Sequence, residues 1–183
     1  YNDIINGRKD HFGFSGIGAI GLYLTYRKIL NENKNIKKNI LICEQDCLII
    51  NIKEFIRKMN KLDNNKNFDF CVFGGSYDKR EVTNNVSDFI YYKNNFMLTH
   101  SIIWSPQGIK KILPKINERI EIQLDSFFSY LCIKNYINVL MEINKTTKQE
   151  NGESLLGNDK MCKLCDVSAN YKKNSLSYSE IDL

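Results

Sequence analysis

The sequence predicts an α/β fold, with a largely parallel sheet flanked by helices. Two observations carry this. Apolar runs of strand length alternate with stretches whose apolar residues recur at helical spacing. The run Asn39–Cys43 is apolar without alternation, as in a strand covered on both faces. A third feature sharpens the element boundaries: Ser105-Pro106 places an N-cap hydroxyl before a proline at the first helical position.

In chain order, residues 1–15 are mixed and punctuated by glycine. From Gly16 to about Leu30 the pattern turns helical, with Ile17, Ile20 and Leu24 on one stripe and Tyr23, Tyr26 and Leu30 on its neighbour. Asn39–Cys43 is the first strand; it stops at Glu44-Gln45-Asp46, and apolar character resumes over residues 47–50. A helix follows with Ile52, Phe55, Ile56 and Met59 on one face. Phe68–Phe73 is the next strand, ended by Gly74-Gly75, and residues 76–87 read as a polar loop. Asp88–Tyr92 and Phe96–Trp104 are two more strands. The helix capped by Ser105 carries Ile109, Ile112 and Leu113 and is expected to end near Pro114. Leu124–Ile133 is a further helix and Ile137–Ile143 a last strand. Residues 1–156 are expected to form one domain and residues 157–183 a polar tail. No internal repeat is present.

A chain of 183 residues with a hydrophobic fraction of 43% is the size of one folded domain and excludes a wholly disordered protein. No apolar run approaches the ~18 residues of a membrane span. No secretory signal opens the chain, so a cytoplasmic location is expected. The net charge of +5, from 26 basic and 21 acidic residues, is mild. The lysines are scattered among asparagines, whereas nucleic-acid binders concentrate charge on one face, so no nucleic-acid partner is expected. The bias toward Asn (23), Ile (24) and Lys (21) is that of an AT-rich genome, as in a giant virus or a low-GC microbe. Of the six cysteines, Cys43, Cys47, Cys71 and Cys132 lie in apolar contexts and are expected as free thiols. Cys162 and Cys165 form a C-x-x-C without the second half of a zinc site.

Glu44-Gln45-Asp46 is the most informative spot. Two carboxylates stand just past the end of an apolar strand, where open α/β sheets bind ligands. Two apart in an extended segment, they point to one side and can share a hard divalent cation through oxygen, with a diphosphate as the remaining ligand. The same three residues read equally well as a solvated turn. His100 reads equally as a metal or phosphate contact and as a satisfied core histidine. Asp125, taken alone, is first a helix N-terminal residue favoured by the helix dipole.

The order of these segments resembles glycosyltransferase family 25, the lipopolysaccharide and procollagen galactosyltransferase-like family. Gly18-Ala-Ile-Gly21 through Thr25-Tyr26 is similar to the family's Gly-x-x-Gly-Cys-x-x-Ser-His helix. Ile40–Leu48 is similar to its strand running into Glu-Asp-Asp, and Phe68–Gly75 to its strand ending in Gly-Gly. Thr99-His100 through Ser105-Pro106-Gln107-Gly108 resembles its His strand followed by Ser-Pro-x-Gly, and Ile122–Phe127 its later Asp motif. Gln149 and Ser154 match a weaker distal pair. The resemblance spans residues 13–156. It implies a GT-A fold and inverting, metal-dependent transfer of a hexose, galactose or glucose, from a nucleoside-diphosphate sugar such as a UDP-sugar to a glycan or protein hydroxyl. It implies donor binding by Glu44, Asp46, Gly74, Gly75 and His100. A divalent cation such as Mn²⁺ would be held by Asp46, Glu44 and His100, with Asp125 as the general base.

The chain departs from the family pattern at Gln45, where the middle acid is lost, at Leu22, and at Thr25-Tyr26, where Ser-His is expected. The family's N-terminal strand, with Ile-Asn-Leu and Arg, is not in the chain; it is expected either upstream of Tyr1 or lost. These departures favour an alternative, a catalytically degenerate member acting as a binding or scaffold module.

Overall fold

The computed structural model of the chain describes residues 17–77, 85–86, 88–97, 99–118 and 122–150. The first sixteen residues and the tail, with Ser154, Cys162 and Cys165, lie outside them. The elements in chain order are α1 (Ile17–Glu32), β1 (Ile40–Cys43), β2 (Cys47–Ile49), α2 (Ile52–Asp63), β3 (Phe70–Val72), β4 (Ser76–Tyr77) and β5 (Asn85–Val86). There follow β6 (Phe89–Tyr92), β7 (Phe96–Met97), β8 (Ser101–Trp104), α3 (Pro106–Ile116), α4 (Leu124–Ile133), β9 (Val139–Glu142) and β10 (Thr147–Gln149).

The mixed α/β class is as expected, but the sheet is not largely parallel. Its strand order is β1-β8-β3-β9-β6-β5, and only the β3–β9 pairing is parallel. The apolar runs of the central strands β3, β8 and β9 report coverage of both faces, which holds whichever way the strands run. Alternate residues of each central strand face opposite layers. Phe70, Val72, Ile102, Trp104, Val139 and Met141 meet α1, α3 and α4 on one face. Cys71, Phe73, Ile103 and Leu140 meet Phe55 and Leu62 of α2 on the other. Trp104 and Phe70, with ring centroids 4.7 Å apart, stack beneath Phe128 of α4 at the centre of the larger layer.

Several boundaries moved for identifiable reasons. β1 lies at the sheet's edge, paired to β8 alone, and Leu41 and Cys43 are exposed, so it is covered on one face only. In α2 the buried stripe is Phe55, Lys58 and Leu62, while Ile52 and Ile56 are 55% and 50% exposed. The helix turns this way because Lys58 is drawn inward by Glu142, its Nζ 2.9 Å from Oε1. The expected strand Phe96–Trp104 breaks at Thr99-His100: β7 pairs with β4, and β8 enters the main sheet. The expected loop 76–87 contains β4 and β5. The polar stretch after Asn144 holds β10, which pairs with β2. Pro114 sits inside the last turn of α3, which runs on to Ile116.

The start of α3 follows the Ser105-Pro106 expectation. Ser105 Oγ accepts from Gly108 N at 3.0 Å and donates to the Phe68 carbonyl at 2.7 Å, fastening the helix to the entry of β3. Asp69 fastens the same end of the sheet, its Oδ2 accepting from Asn138 N at 2.7 Å and from Lys111 Nζ at 2.9 Å. No helix of the described residues is long and apolar enough to cross a membrane.

Candidate functional site

The register brings the carboxyl ends of β1, β3 and β9 and the start of β8 to one edge of the sheet, since Cys43 faces Ser101 and Val72 faces both Ile102 and Met141. Glu44, Gly74 and His100 stand immediately beyond that edge. Glu44 N donates to the His100 carbonyl at 2.8 Å, and Cys47 N donates to the Glu44 carbonyl at 3.0 Å. The carboxylates therefore sit in a tight turn and not in the extended segment expected. The turn is held on its other side by β10, where Glu150 N donates to the Asp46 carbonyl at 2.8 Å and Gln149 Nε2 to Asp46 Oδ2 at 2.7 Å.

The site is acidic and under-compensated. Glu44 Oε1 accepts from Thr99 Oγ1 at 3.2 Å. Burial, then the charge of Asp46 and more weakly that of Asp125, push the Glu44 carboxyl up to about 7. Asp125 lies in the first turn of α4, its Oδ1 accepting from Ser126 N at 2.8 Å, and burial raises its carboxyl above the usual range. The structure thus brings Glu44 and Asp46 together in one turn. Asp46 Oδ1 is buried without a hydrogen-bond partner among the described residues.

His100 is 1% exposed. Its Nε2 lies 3.3 Å from Thr147 Oγ1, while Nδ1 is buried without a partner among the described residues. Burial lowers its basicity, against the pull of Asp46. Gly74 explains the Gly-Gly pair: its φ is +67°, and a Cβ there would run into the Thr147 carbonyl and lie 2.7 Å from His100 Nε2. Gly75 is buried beside it.

Glu142 holds this edge together. Its Oε2 accepts from Gly74 N at 3.1 Å and Thr146 N at 3.0 Å, and its Oε1 from Thr146 Oγ1 at 2.6 Å and Lys58 Nζ at 2.9 Å. Sequence reasoning passed over Glu142, Lys58, Thr99 and Thr147. A lysine three residues after Phe55 and four before Leu62, on a helix face otherwise apolar, is the signal that could have found the pair. Tyr26 is buried and donates its hydroxyl to the Thr99 carbonyl at 3.1 Å, bracing the segment that carries His100.

A divalent cation fits the two carboxylates of the turn. Asp46 has an orphaned buried oxygen, burial and Asp46 raise the Glu44 carboxyl beside it, and a cation there would relieve both, with a diphosphate and water completing an oxygen shell. Among the described residues no three His, Cys, Asp or Glu side chains form a cation-holding group. A cavity of about 430 Å³ is lined by Lys61, Leu62, Lys66, Asn67 and Phe89 among others, none of them a candidate site residue.

The raised Glu44 carboxyl has a stability consequence. Between its unfolded value near 4.5 and its folded value of about 7, the folded state binds more protons than the unfolded. Stability contributed by protonated Glu44 is therefore present below pH 4.5 and lost as pH rises through 7. From pH 5 to pH 8 the wild-type protein is expected to lose about 1–2 kcal/mol relative to Glu44→Gln, the partial exposure of the carboxyl keeping the figure small. Urea unfolding of both proteins at the two pH values measures it, and parallel pH profiles would exclude it.

No protein-family model matches the chain, and no curated protein matches it in sequence.

Proposed function

We propose that the chain is a GT-A-like glycosyltransferase that moves a hexose from a nucleoside-diphosphate sugar to a hydroxyl of a glycan or protein, with inversion at the sugar. The observation that carries the reading is the pair Glu44 and Asp46 in one turn beyond the sheet, with a buried Asp46 oxygen lacking a partner among the described residues. Uncompensated carboxylates there are what a divalent cation would neutralise, and the cation would in turn draw an anionic diphosphate to the site. Glu44 and Asp46 would hold the divalent cation, which when bound stabilises charge on the leaving diphosphate. Thr99 and Gln149 orient these two carboxylates by hydrogen bonds at 3.2 and 2.7 Å. Asp125, made more basic by burial, would take the proton of the acceptor hydroxyl. The four described cysteines are free thiols, which suits the cytoplasm.

Tyr26 favours a second reading. Its hydroxyl is committed to the Thr99 carbonyl, so it cannot also serve the donor as the family's His would, and the chain would then be a binding module that keeps the fold without turnover. Release of nucleoside diphosphate from UDP-galactose and UDP-glucose, with Mn²⁺ and with EDTA, separates the two. The transferase reading expects Mn²⁺-dependent release that falls at least ~100-fold in Asp46→Ala. Donor binding by calorimetry without release from any nucleotide sugar would leave the binding module. Release unaffected by EDTA and by Asp46→Ala would remove the carboxylate turn from the chemistry.

A further inference from the structure

β1 is the end strand of the main sheet, and no described strand pairs with its outer side. Glu44 N donates inward, to the His100 carbonyl. By the two-residue period of a strand, Ile40 and Ile42 also turn their N–H and C=O toward β8. Those of Leu41 and Cys43 point away from the sheet. Edge strands of native proteins are normally blunted by charge, proline or a bulge. Ile40–Cys43 has none of these: it pairs with β8 in unbroken register and carries no charge, and its Leu41 is 36% exposed. The charges stand at its two ends. Lys37 and Lys38, both exposed, precede the strand, and Glu44 and Asp46 follow it. A strand with a basic entry and an acidic exit is complementary to itself when two copies run antiparallel.

We propose that β1 pairs antiparallel with β1 of a second copy of this chain, about a two-fold axis perpendicular to the sheet and beside Ile42. The inference goes beyond glycosyl transfer and stands without it. In this register Leu41 of each copy lies opposite Cys43 of the other, so the outward N–H and C=O groups of both residues find partners, and Ile42 faces Ile42. The axis keeps each layer of helices on its own side of the joined sheet, so the alternation of the side chains is preserved. Continued outward, the same register sets Lys38 of one copy toward Asp46 of the other, at both ends of the seam. The second copy thus brings an ammonium group beside the acidic turn. The charge match is with β1 itself, which singles out a second copy over an unrelated apolar strand. Because both copies use the same strand, the assembly closes at two.

The full chain is followed by sedimentation equilibrium over a range of concentrations, with hydrogen exchange read residue by residue. The expected result is a reversible rise from 21.4 kDa to twice that mass, with slower exchange of the Leu41 and Cys43 amides in the dimer. Leu41→Lys, at a side chain already exposed, sets an added positive charge on the seam of each copy. It is expected to raise the dimer dissociation constant at least ~10-fold and to leave the urea midpoint of the monomer unchanged. Lys38→Glu puts like charges at both ends of the seam and is expected to weaken the dimer at low salt. A chain that stays at 21.4 kDa at every concentration overturns the proposal, whatever then covers the edge. So do larger open assemblies, a dimer that Leu41→Lys leaves intact, and a dimer whose Leu41 and Cys43 amides exchange as fast as in the monomer.

Discussion

Glu142→Gln is expected to destabilise the protein by about 3–5 kcal/mol, read as a fall in the urea midpoint at constant slope. Lys58 and Glu142 are each 1% exposed, and the substitution leaves the Lys58 ammonium buried without its counter-charge. Gln keeps the shape but places an amide N–H₂ where one carboxylate oxygen had been. The Oε1 side receives Thr146 Oγ1 and Lys58 Nζ, and the Oε2 side receives the N–H groups of Gly74 and Thr146. In either orientation the amide meets donors. Lys58→Met removes the counter-ion with its hydrogen bonds to Glu142 and the Asn144 carbonyl and leaves the Gly74 and Thr146 donors in place. A buried ion pair replaced as a whole by apolar residues is often neutral, yet here Lys58→Met combined with Glu142→Leu is expected not to recover stability. The apolar side chain would orphan the two N–H groups, each costing about 1–3 kcal/mol. Full recovery in the double variant would show that charge pairing alone, and not the anchoring of the Gly74 and Thr146 backbones, is what Glu142 supplies. The anchoring matters to the site because Gly74 and Thr147 form the wall against His100.

Gly108→Ala is expected to cost ~3 kcal/mol, against the ordinary gain of alanine over glycine in a helix. A Cβ at Gly108 would collide with the backbone carbonyl of Asp69, and a backbone atom cannot swing aside as a side chain does. The collision falls where Ser105 ties α3 to Phe68 and Asp69 anchors Asn138, so relief by moving the helix would break both fastenings. Gly21→Ala in α1, where a Cβ meets nothing within 4 Å, is the matched control and is expected to stabilise by about 0.5–1 kcal/mol. Thermal or urea unfolding of the two variants side by side measures the contrast; equal effects would exclude the close approach of α3 to β3 as the reason for glycine at Gly108.

Much of the local structure was legible. The Ser105 cap, the Tyr23, Tyr26 and Leu30 stripe, and the apolar runs that became β1, β3, β6, β8 and β9 follow from periodicity and capping chemistry within a few residues of chain. Short elements whose residues are polar were missed. β10, with Thr147 buried and Lys148 and Gln149 exposed, exists because it pairs with β2, and nothing in its own composition demands a strand. The break at Thr99-His100 was hidden inside an apolar stretch for the converse reason: β7 and β8 belong to different sheets.

The candidate site divides along the same line. By itself the sequence determined that two carboxylates follow an apolar strand, that a Gly-Gly pair ends another, and that a histidine precedes a third, because residue type and strand length are local properties. Only the tertiary structure decided that these three ends lie on one edge of the sheet. The same holds for the direction of the strands, since an apolar run covered on both faces looks alike in either direction. It also decided which charges remain uncompensated. Lys58 and Glu142, 84 residues apart, neutralise each other in the interior, whereas burial and the neighbouring Asp46 raise the Glu44 carboxyl. The electrostatic fate of a side chain depends on distance and burial in space, and pairing across such separations is set by the packing of α2 against the sheet and not by the residues on either side.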